Sequence, residues 1–239
     1  MAEIPQLAIT LAEPDELVSA LELIANTVAQ QRQTLNRRVL SHPYFLMPAA
    51  LILGGVSART LNNTGGGILS GYPALVILGA GVLIALLSSV ARYTCDYLIE
   101  AERIGSTATL NAELRAPDRA VVIARWGDKV IGAAVVRTGG ERAEIWAWAV
   151  QLVYRGKGLG HDLLVKAVDV ARERMGKDCD VVFAEDHART FMGWCFVLRL
   201  LTFTDSYRIG NVPATFNVPF DRSEERARRA LKKVLESGQ

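Results

Sequence analysis

The spacing of apolar residues predicts that the chain begins with a long amphipathic helix. Leu17, Leu21 and Ile24 recur every three to four residues, which places them on one helical face. The proline and acidic residues just before them are typical of a helix start. We expect this helix to run to about Arg38, and a second amphipathic helix is predicted over 96–104.

Short runs of β-branched and small apolar residues predict a group of strands later in the chain. The runs 120–126 and 129–137 are separated by a Gly-Asp pair, a common hairpin turn, and a third strand is expected over 143–153. A glycine-rich loop and a helix ending near Met175 follow. The remaining predicted elements are a strand over 180–185, a helix over 188–200, strands over 202–209 and 213–220, and a charged helix over 223–235.

Two stretches without charged residues interrupt this pattern, at 39–58 and 60–91. The part from Ile68 to Ala91 is long enough to cross ~30 Å of hydrocarbon as a helix. The first stretch contains two prolines, so a tilted, kinked or incomplete span is expected there. The small residues Gly54-Gly55 and Gly79-Ala80-Gly81 are typical of closely packed membrane helices. We therefore expect a membrane hairpin over 39–91, the alternative being a pair of buried helices in a soluble protein.

The charges around these stretches predict their orientation. Arg32, Arg37 and Arg38 precede them and Arg92 follows, whereas the loop between them carries only Arg59. The positive-inside rule then places both flanks in the cytosol. We expect an integral protein of the endoplasmic reticulum or another internal membrane. The first twenty residues hold acidic side chains and no basic one, which is unlike a signal peptide. The net charge of only +2 offers no reason to expect a nucleic-acid partner.

The glycine-rich loop is the strongest indication of chemistry. Gly156, Gly158 and Gly160 alternate with other residues between a predicted strand and a predicted helix. Such a loop turns backbone N–H groups inward around an anion, and the start of the helix adds its unpaired N–H groups and its positive dipole end. Arg155 and Lys157 can add charge at the rim. The pattern predicts a diphosphate site, the alternative being a strand-to-helix turn without a ligand.

The loop differs from two common phosphate-binding motifs. Lys157 is followed by Gly158 rather than by Ser or Thr, and the GxGxG spacing with His161 next does not fit GxGxxG. Arg155, Gly158 and Gly160 do fit the pattern Q/R-x-x-G-x-G/A. This run resembles the acetyl-CoA signature of the GNAT superfamily of N-acetyltransferases.

The resemblance implies the α/β GNAT fold, a mixed and mostly antiparallel sheet flanked by helices, from about Ile9 to Phe220. The membrane hairpin would be inserted between its first two helices, which is similar to the membrane-anchored branch of the family found in mammals. The implied organisation is an N-terminal helix of the fold at 1–38, the transmembrane hairpin at 39–91, the catalytic domain at 92–220 and a charged C-terminal helix at 221–239.

The resemblance also implies which residues bind acetyl-CoA, and no CxxC or His/Cys spacing in the sequence leads us to expect a metal. Backbone groups of the strand before the loop would bind the pantetheine arm, at the positions of Val150 and Leu152. The N–H of Val150 would donate to the thioester oxygen. The diphosphate would lie against the loop, formed by Arg155, Gly156, Lys157, Gly158, Leu159 and Gly160.

A general base is implied at Glu144, six residues before Val150. Strand alternation predicts Glu144, Trp146, Trp148 and Val150 on one face of the strand, where the two indoles line an acceptor pocket or belong to the core. The alternative for Glu144 is a solvated side chain at a strand start.

The tyrosine that the family often uses to protonate the leaving thiolate has no counterpart in 188–196. Tyr207 or water is left for that role. The implied activity is transfer of an acetyl group from acetyl-CoA to an amine acceptor, a small molecule or a protein, by direct attack at the bilayer surface. The alternative is a non-catalytic membrane assembly or interaction protein that retains the fold.

Overall fold

The computed structural model describes residues 6–41, 43–63, 68–187 and 218–237. The chain forms two compact units. The first comprises Met1–Gln31, Tyr97–Gly193 and Asn217–Gln239, and the second comprises Arg32–Asp96 and Trp194–Phe216. The described helices are α1 (Glu16–Leu40), α2 (Pro43–Asn63), α3 (Ile68–Tyr93), α4 (Asp96–Ile104), α5 (Thr107–Thr109), α6 (Leu159–Met175) and α7 (Val218–Ser237). The strands are β1 (Leu7–Leu11), β2 (Arg119–Trp126), β3 (Lys129–Arg137), β4 (Ala143–Val150) and β5 (Val181–Phe183).

The first unit contains a five-stranded sheet in the order β1-β2-β3-β4-β5. Strands β1 to β4 pair antiparallel, and β5 pairs parallel to β4. The sheet is therefore mixed and mostly antiparallel, as predicted. Strand β1 was not predicted, because its five residues become a strand by pairing with β2, more than a hundred residues further along the chain.

The sheet has a buried hydrophobic layer on each face. One layer packs against α6 and α7 and includes Ile145, Leu163 and Val168. The other packs against α1, α4 and a π-helical turn at Leu110–Leu114. Burial of each such side chain stabilises the fold by about 1.5–3 kcal/mol. Because both faces are covered, the sites available for binding lie at the edge and ends of the sheet.

A β-bulge interrupts the pairing of β3 with β4. Val135 lies opposite Ala147 and Val136 lies opposite Ile145, which leaves Trp146 as an extra residue on β4. A bulge of this kind reverses the facing of every later side chain on its strand.

The bulge separates side chains that were predicted to share one face. Trp146 packs in the layer beside α1, whereas Trp148 and Val150 pack in the layer beside α6. The prediction that Glu144, Trp146, Trp148 and Val150 share a face is therefore wrong. Period-two alternation assumes an unbroken ladder, and a bulge follows from pairing with the neighbouring strand rather than from the strand's own sequence.

Most predicted elements of the first unit are found close to their expected bounds, including α4 at the predicted residues. Strand β4 ends at Val150 rather than at 153, and Leu152–Tyr154 forms a 3-10 turn. Residues 218–220, predicted as the end of a strand, begin α7. The predicted helix over 188–200 and strand over 202–209 lie outside the described residues.

The second unit contains α2 and α3, which pack against each other as a hairpin. At 1.5 Å per residue their 21 and 26 residues extend about 31 and 39 Å. Within the described residues, the stretch Gly79–Ile104 is long and apolar enough to cross a membrane by length and composition. The core helix of a soluble protein can meet the same criterion, so this stretch alone does not establish a span.

The glycines of the hairpin make little close contact. A Cβ built on Gly79 would lie 3.9 Å from Leu53, whereas one built on Gly54, Gly55 or Gly81 would meet no described atom within 4 Å. Within the described residues, Gly79 is therefore the glycine of these four that adjoins the neighbouring helix, and the packing role of the others stays a prediction.

Candidate active site

The glycine-rich loop joins β4 to α6 in a conformation that requires glycine. Gly156 and Gly158 have φ angles of +78° and +88°, and Gly158 is the N-cap of α6. A residue with a side chain is strained at such angles, so the backbone of the loop favours glycine at both positions. Gly160 allows a close approach of the helix to the sheet, since a Cβ there would lie 3.0 Å from the Trp148 ring.

The loop presents backbone donors that have no acceptor in the described part of the chain. The first intrahelical bonds of α6 run from His161 and Asp162 to the Gly158 carbonyl, at 2.8 and 3.2 Å. Among the residues that the structure describes, no protein acceptor is found for the N–H groups of residues 156–160. These donors lie at the positive end of a 17-residue helix, which is the arrangement that binds phosphate in other proteins. The loop therefore fits the diphosphate of a coenzyme.

Arg155 and Lys157 differ in their contacts. Lys157 is exposed, with its ammonium 5.5 Å from the centre of the Tyr154 ring. The Arg155 Nε donates to the carbonyl oxygen of Val150 at 2.8 Å, and its Nη2 donates to Gln30 Oε1 at 3.3 Å. Burial lowers the pKa of the Arg155 guanidinium from its ordinary value, although an arginine remains charged at neutral pH. Lys157 is thus the freer cation at the rim.

Strand β4 pairs with β3 along one edge and with β5 along the other. Because β5 pairs only with residues 143–145, the part of that edge beyond Ile145 has no strand partner within the described residues. The Gln151 N–H donates to the Ile131 carbonyl at 2.9 Å. Backbone groups alternate in direction along an antiparallel pair, so the N–H groups of Trp148 and Val150 point away from β3 toward this open edge. Two backbone donors therefore face the space that a pantetheine arm would need.

Leu152 does not share this edge. It lies beyond the end of β4 in the 3-10 turn, and its carbonyl accepts a bond from the Arg155 N–H at 3.3 Å. The prediction that it is a strand residue is wrong. Trp148 was not among the predicted backbone donors, although it lies two residues before Val150 in the regular part of β4, so its backbone N–H points to the same side.

Glu144 lies on β4 directly opposite Arg137 of β3. Its Oε2 is 3.9 Å from the Arg137 Nη1, and 41% of its side chain is exposed. The backbone N–H of Val150, the predicted donor to the thioester oxygen, is six residues away, about 20 Å along a strand. The Trp148 N–H is about 13 Å away on the same basis, and the bulge shortens that distance. Glu144 is therefore closer to the Trp148 donor than to that of Val150.

Arg137 is the centre of an ion-pair network that sequence reasoning missed. Its guanidinium binds Glu113 at 3.0 and 2.9 Å and Asp186 at 2.7 and 2.8 Å, each through two hydrogen bonds. It also lies 5.8 Å from the centre of the Trp146 ring. These partners come from separate segments of the chain, so no local motif could have indicated them.

The pKa values in this network are displaced as its geometry requires. Burial alone would lower the pKa of Arg137, but its hydrogen bonds to Asp186 and Glu113 outweigh burial and raise that pKa well above its ordinary value. The hydrogen bond from Arg137 lowers the pKa of Asp186, against an opposing contribution from burial. Both groups therefore remain charged at neutral pH, and the network holds the residues after β5 against the sheet.

A cavity of about 450 Å³ lies where the chain leaves β5. Trp146 forms part of its wall, beside the Arg137 network, and four acidic residues are among those that line it. Within the described residues it is lined by Glu100, Arg103, Ile104, Ser106, Ala108, Thr109, Ala112, Glu113, Trp146, Glu185, Asp186 and His187. A cavity of this volume accommodates a small-molecule acceptor or a side chain.

Two further expectations concern groups that the site could contain. Tyr207, the predicted alternative to water as general acid, lies outside the described residues. Across the described parts of the chain, no group of three or more His, Cys, Asp or Glu residues is arranged to hold a metal ion.

Comparison with known proteins agrees with this geometry. Residues 87–192 match the family model described as the acetyltransferase (GNAT) family, over somewhat less than half of the chain. This range contains the sheet from β2 to β5, the glycine loop and α6, so the chain contains a GNAT acetyltransferase domain. No curated protein matches the chain.

Several solved structures resemble the chain at low identity. An aminoglycoside acetyltransferase from an uncultured soil metagenomic sample, in complex with trehalose, is 18% identical, with a TM-score of 0.28 and coverage of 45% of this chain and 70% of that one. Its complex with sisomicin is 19% identical, with a TM-score of 0.28 and coverage of 43% and 65%. A transcriptional regulator from Bacillus halodurans C-125 is 13% identical, with a TM-score of 0.32 and coverage of 86% and 94%. At these scores the neighbours carry no argument about activity.

Proposed function

We propose that the protein is a membrane-anchored N-acetyltransferase that transfers the acetyl group of acetyl-CoA to an amine. The observation that carries the proposal is the junction of β4 with α6. A loop whose N–H groups have no acceptor among the described residues adjoins a strand edge with two outward backbone donors. The loop fits a diphosphate and the edge fits an amide-bearing arm, which are the two ends of one coenzyme.

The chemistry needs few side chains. The amine nitrogen attacks the thioester carbonyl carbon, the carbon–sulfur bond breaks, and the amine proton leaves to a base while the thiolate gains a proton. A backbone N–H at the open edge of β4 can stabilise the negative charge that develops on the carbonyl oxygen. We propose that the backbone N–H of Val150 or of Trp148 donates to the thioester oxygen. Glu144 is the proposed base, acting directly or through water. Water or Tyr207 supplies the final proton.

Acetyl-CoA binding and turnover test this function. We expect the purified full-length chain to gain thermal stability with acetyl-CoA, by about 2.7 kcal/mol when the ligand is at 100 times its Kd. ATP, which has phosphates and adenine but no pantetheine arm, is the control and should stabilise the protein less. Thiol release should then be measured with a panel of aralkylamines, polyamines and lysine peptides. Absence of stabilisation by acetyl-CoA would refute the proposal, and binding without release with any amine would favour the non-catalytic alternative.

We further propose that 39–91 anchors the protein in a bilayer with both flanks in the cytosol. Large apolar side chains on α2 and α3 support this anchoring, because they are exposed: Leu51 by 74% and Ile77 by 71%. Similar residues on these helices are Leu46, Met47, Ile52, Val76, Leu83 and Ile84. A pair of core helices in a soluble protein would bury such side chains, whereas a membrane hairpin exposes them to lipid.

Cysteine labelling in sealed microsomes tests the topology. The three natural cysteines are replaced by serine, and a single cysteine is introduced at Asn62 in one full-length variant and at Gly140 in another. We expect a membrane-impermeant maleimide to label position 140 at once and position 62 only after permeabilisation, because only the hairpin loop should lie on the far side. Protection of position 140 would instead place the acetyltransferase domain in the lumen.

A further inference from the structure

We infer that Arg155 is a positioning residue that fixes the end of β4, rather than a ligand of the diphosphate. This inference rests on the proposed function and assigns a role to one residue of its site. Arg155 occupies the first position of the Q/R-x-x-G-x-G/A pattern, at the start of the loop. Its described hydrogen bonds go to β4 and α1 rather than to the loop.

One of the two donor edges of Arg155, formed by Nε and Nη2, is already used inside the protein. An arginine binds a phosphate or carboxylate most strongly through two parallel N–H bonds. The Arg155 Nε and Nη2, which form one such edge, donate to the Val150 carbonyl at 2.8 Å and to Gln30 Oε1 at 3.3 Å. Turning this edge toward a diphosphate would break both bonds and leave the carbonyl of Val150 without its donor.

These bonds hold the last peptide group of β4 from both sides. The N–H of Gln151 donates to the Ile131 carbonyl of β3, and the carbonyl of the same peptide group accepts from Arg155 on the open edge. Through Gln30, the guanidinium also ties this point to α1. The placement of the outward N–H groups of Trp148 and Val150 relative to the loop therefore depends on Arg155.

In this arrangement, binding of the diphosphate and polarisation of the thioester carbonyl depend on different groups of the protein. The diphosphate would still find the main-chain donors of residues 156–160 and the exposed Lys157 if Arg155 were changed. The thioester carbonyl, however, would lose its donor at the correct distance. Misplacement by about 1 Å can cost about 100-fold in rate.

The decisive variant is Arg155→Lys, which keeps the positive charge but loses the donor edge. The probe is acetyl-CoA labelled with ¹³C at the thioester carbonyl, bound to the full-length chain. In the wild type we expect the carbonyl resonance to move downfield on binding, because a hydrogen bond polarises it. In Arg155→Lys we expect most of this displacement to be lost, while the Kd for acetyl-CoA changes by less than about threefold. Thiol release with the most active amine of the panel should fall by about tenfold or more.

Two further variants control for charge and for folding. Lys157→Gln removes the freer cation, so we expect a weaker Kd with the carbonyl resonance of the bound state unchanged. Gln30→Ala removes only the hydrogen bond between Arg155 and α1, so it should lose part of the carbonyl displacement that Arg155→Lys loses. Gln30→Glu keeps an acceptor for Arg155 and should show the wild-type resonance. A variant that is only less stable should not change the carbonyl resonance of bound acetyl-CoA while leaving its Kd unchanged.

The outcomes that would overturn the inference are specific. A Kd at least about tenfold weaker with an unchanged resonance would make Arg155 a diphosphate ligand. An unchanged Kd with an unchanged resonance would give it no role in the site. Should Arg155→Lys fail to fold, an unchanged resonance in Gln30→Ala would count against the inference. Failure of the wild type to bind acetyl-CoA would instead refute the proposed function.

Discussion

The Gly158→Asp variant is expected to lose CoA binding while retaining its fold. A Cβ at Gly158 would meet no atom of the described residues within 4 Å, so the new side chain has room. Its carboxylate would lie at the start of α6, among N–H groups that have no acceptor in the described part of the chain, and would cap them as a bound anion does. The diphosphate would then face a like charge in its own site, which costs several kcal/mol and about 100-fold or more in affinity.

The backbone at Gly158 needs its own control, because a φ of +88° is strained for any residue with a side chain. Gly176, at the other end of α6, has a φ of +105° and equally open surroundings. Gly176→Asp should therefore lose stability in a similar way but keep its affinity for CoA. Gly158→Ala separates strain from charge, and we expect it to bind CoA better than Gly158→Asp. Titration calorimetry on the full-length chain decides the matter, and an unchanged CoA affinity in Gly158→Asp would remove the central argument for the site.

The second large effect is expected for Glu144→Gln, which keeps the shape of the side chain and removes its basicity. If Glu144 accepts the proton of the amine, turnover near neutral pH should fall by about 10²–10⁴-fold, the range for a lost general base. Part of the rate should return as the pH rises, because more of the amine then arrives unprotonated. The CoA affinity should remain nearly unchanged, since the diphosphate loop adjoins the opposite end of β4.

The structure indicates that this variant should fold. Arg137 lies 3.9 Å from Glu144, but its shorter bonds go to Glu113 and Asp186, which remain. Glu141→Gln, at an exposed position shortly before β4, is the matched control and should turn over like the wild type. A pH–rate profile with the most active amine is the measurement. If Glu144→Gln shows the same rate and profile as the wild type, Glu144 is a solvated strand residue and the proton leaves by another route.

The separation of Glu144 from the backbone donors bears on how this proton moves. The Val150 N–H is about 20 Å away along the strand, too far for one amine to touch both groups. If Val150 holds the thioester, the proton must travel through water. If Trp148 holds it, the distance is about 13 Å and is shortened by the bulge, so the path of the proton to Glu144 is shorter and needs fewer bridging waters. A solvent isotope effect on turnover in wild type that is absent from Glu144→Gln would support a route through Glu144.

Several features of this protein follow from the sequence alone, because their causes are local. The apolar spacing in α4 and the Gly-Asp turn between β2 and β3 involve only neighbouring residues, and both elements form where they were predicted. The same holds for the glycine loop. Positive φ angles at Gly156 and Gly158 and the start of a helix directly after them are properties of a short segment. The resemblance to the acetyltransferase family rested on this segment, and the family match over 87–192 agrees with it.

Other features were decided only by tertiary structure, because they depend on residues distant in the chain. Strand β1 exists through its pairing with β2, and the bulge at Trp146 exists through the register of β4 against β3. That bulge turns Trp148 away from Trp146, which alternation within one strand could not reveal. Likewise, a motif shows that an arginine occupies position 155, but only the folded chain brings Gln30 and the Val150 carbonyl to its guanidinium. Sequence patterns report the local backbone, whereas side-chain roles depend on which distant groups the fold places within hydrogen-bond distance.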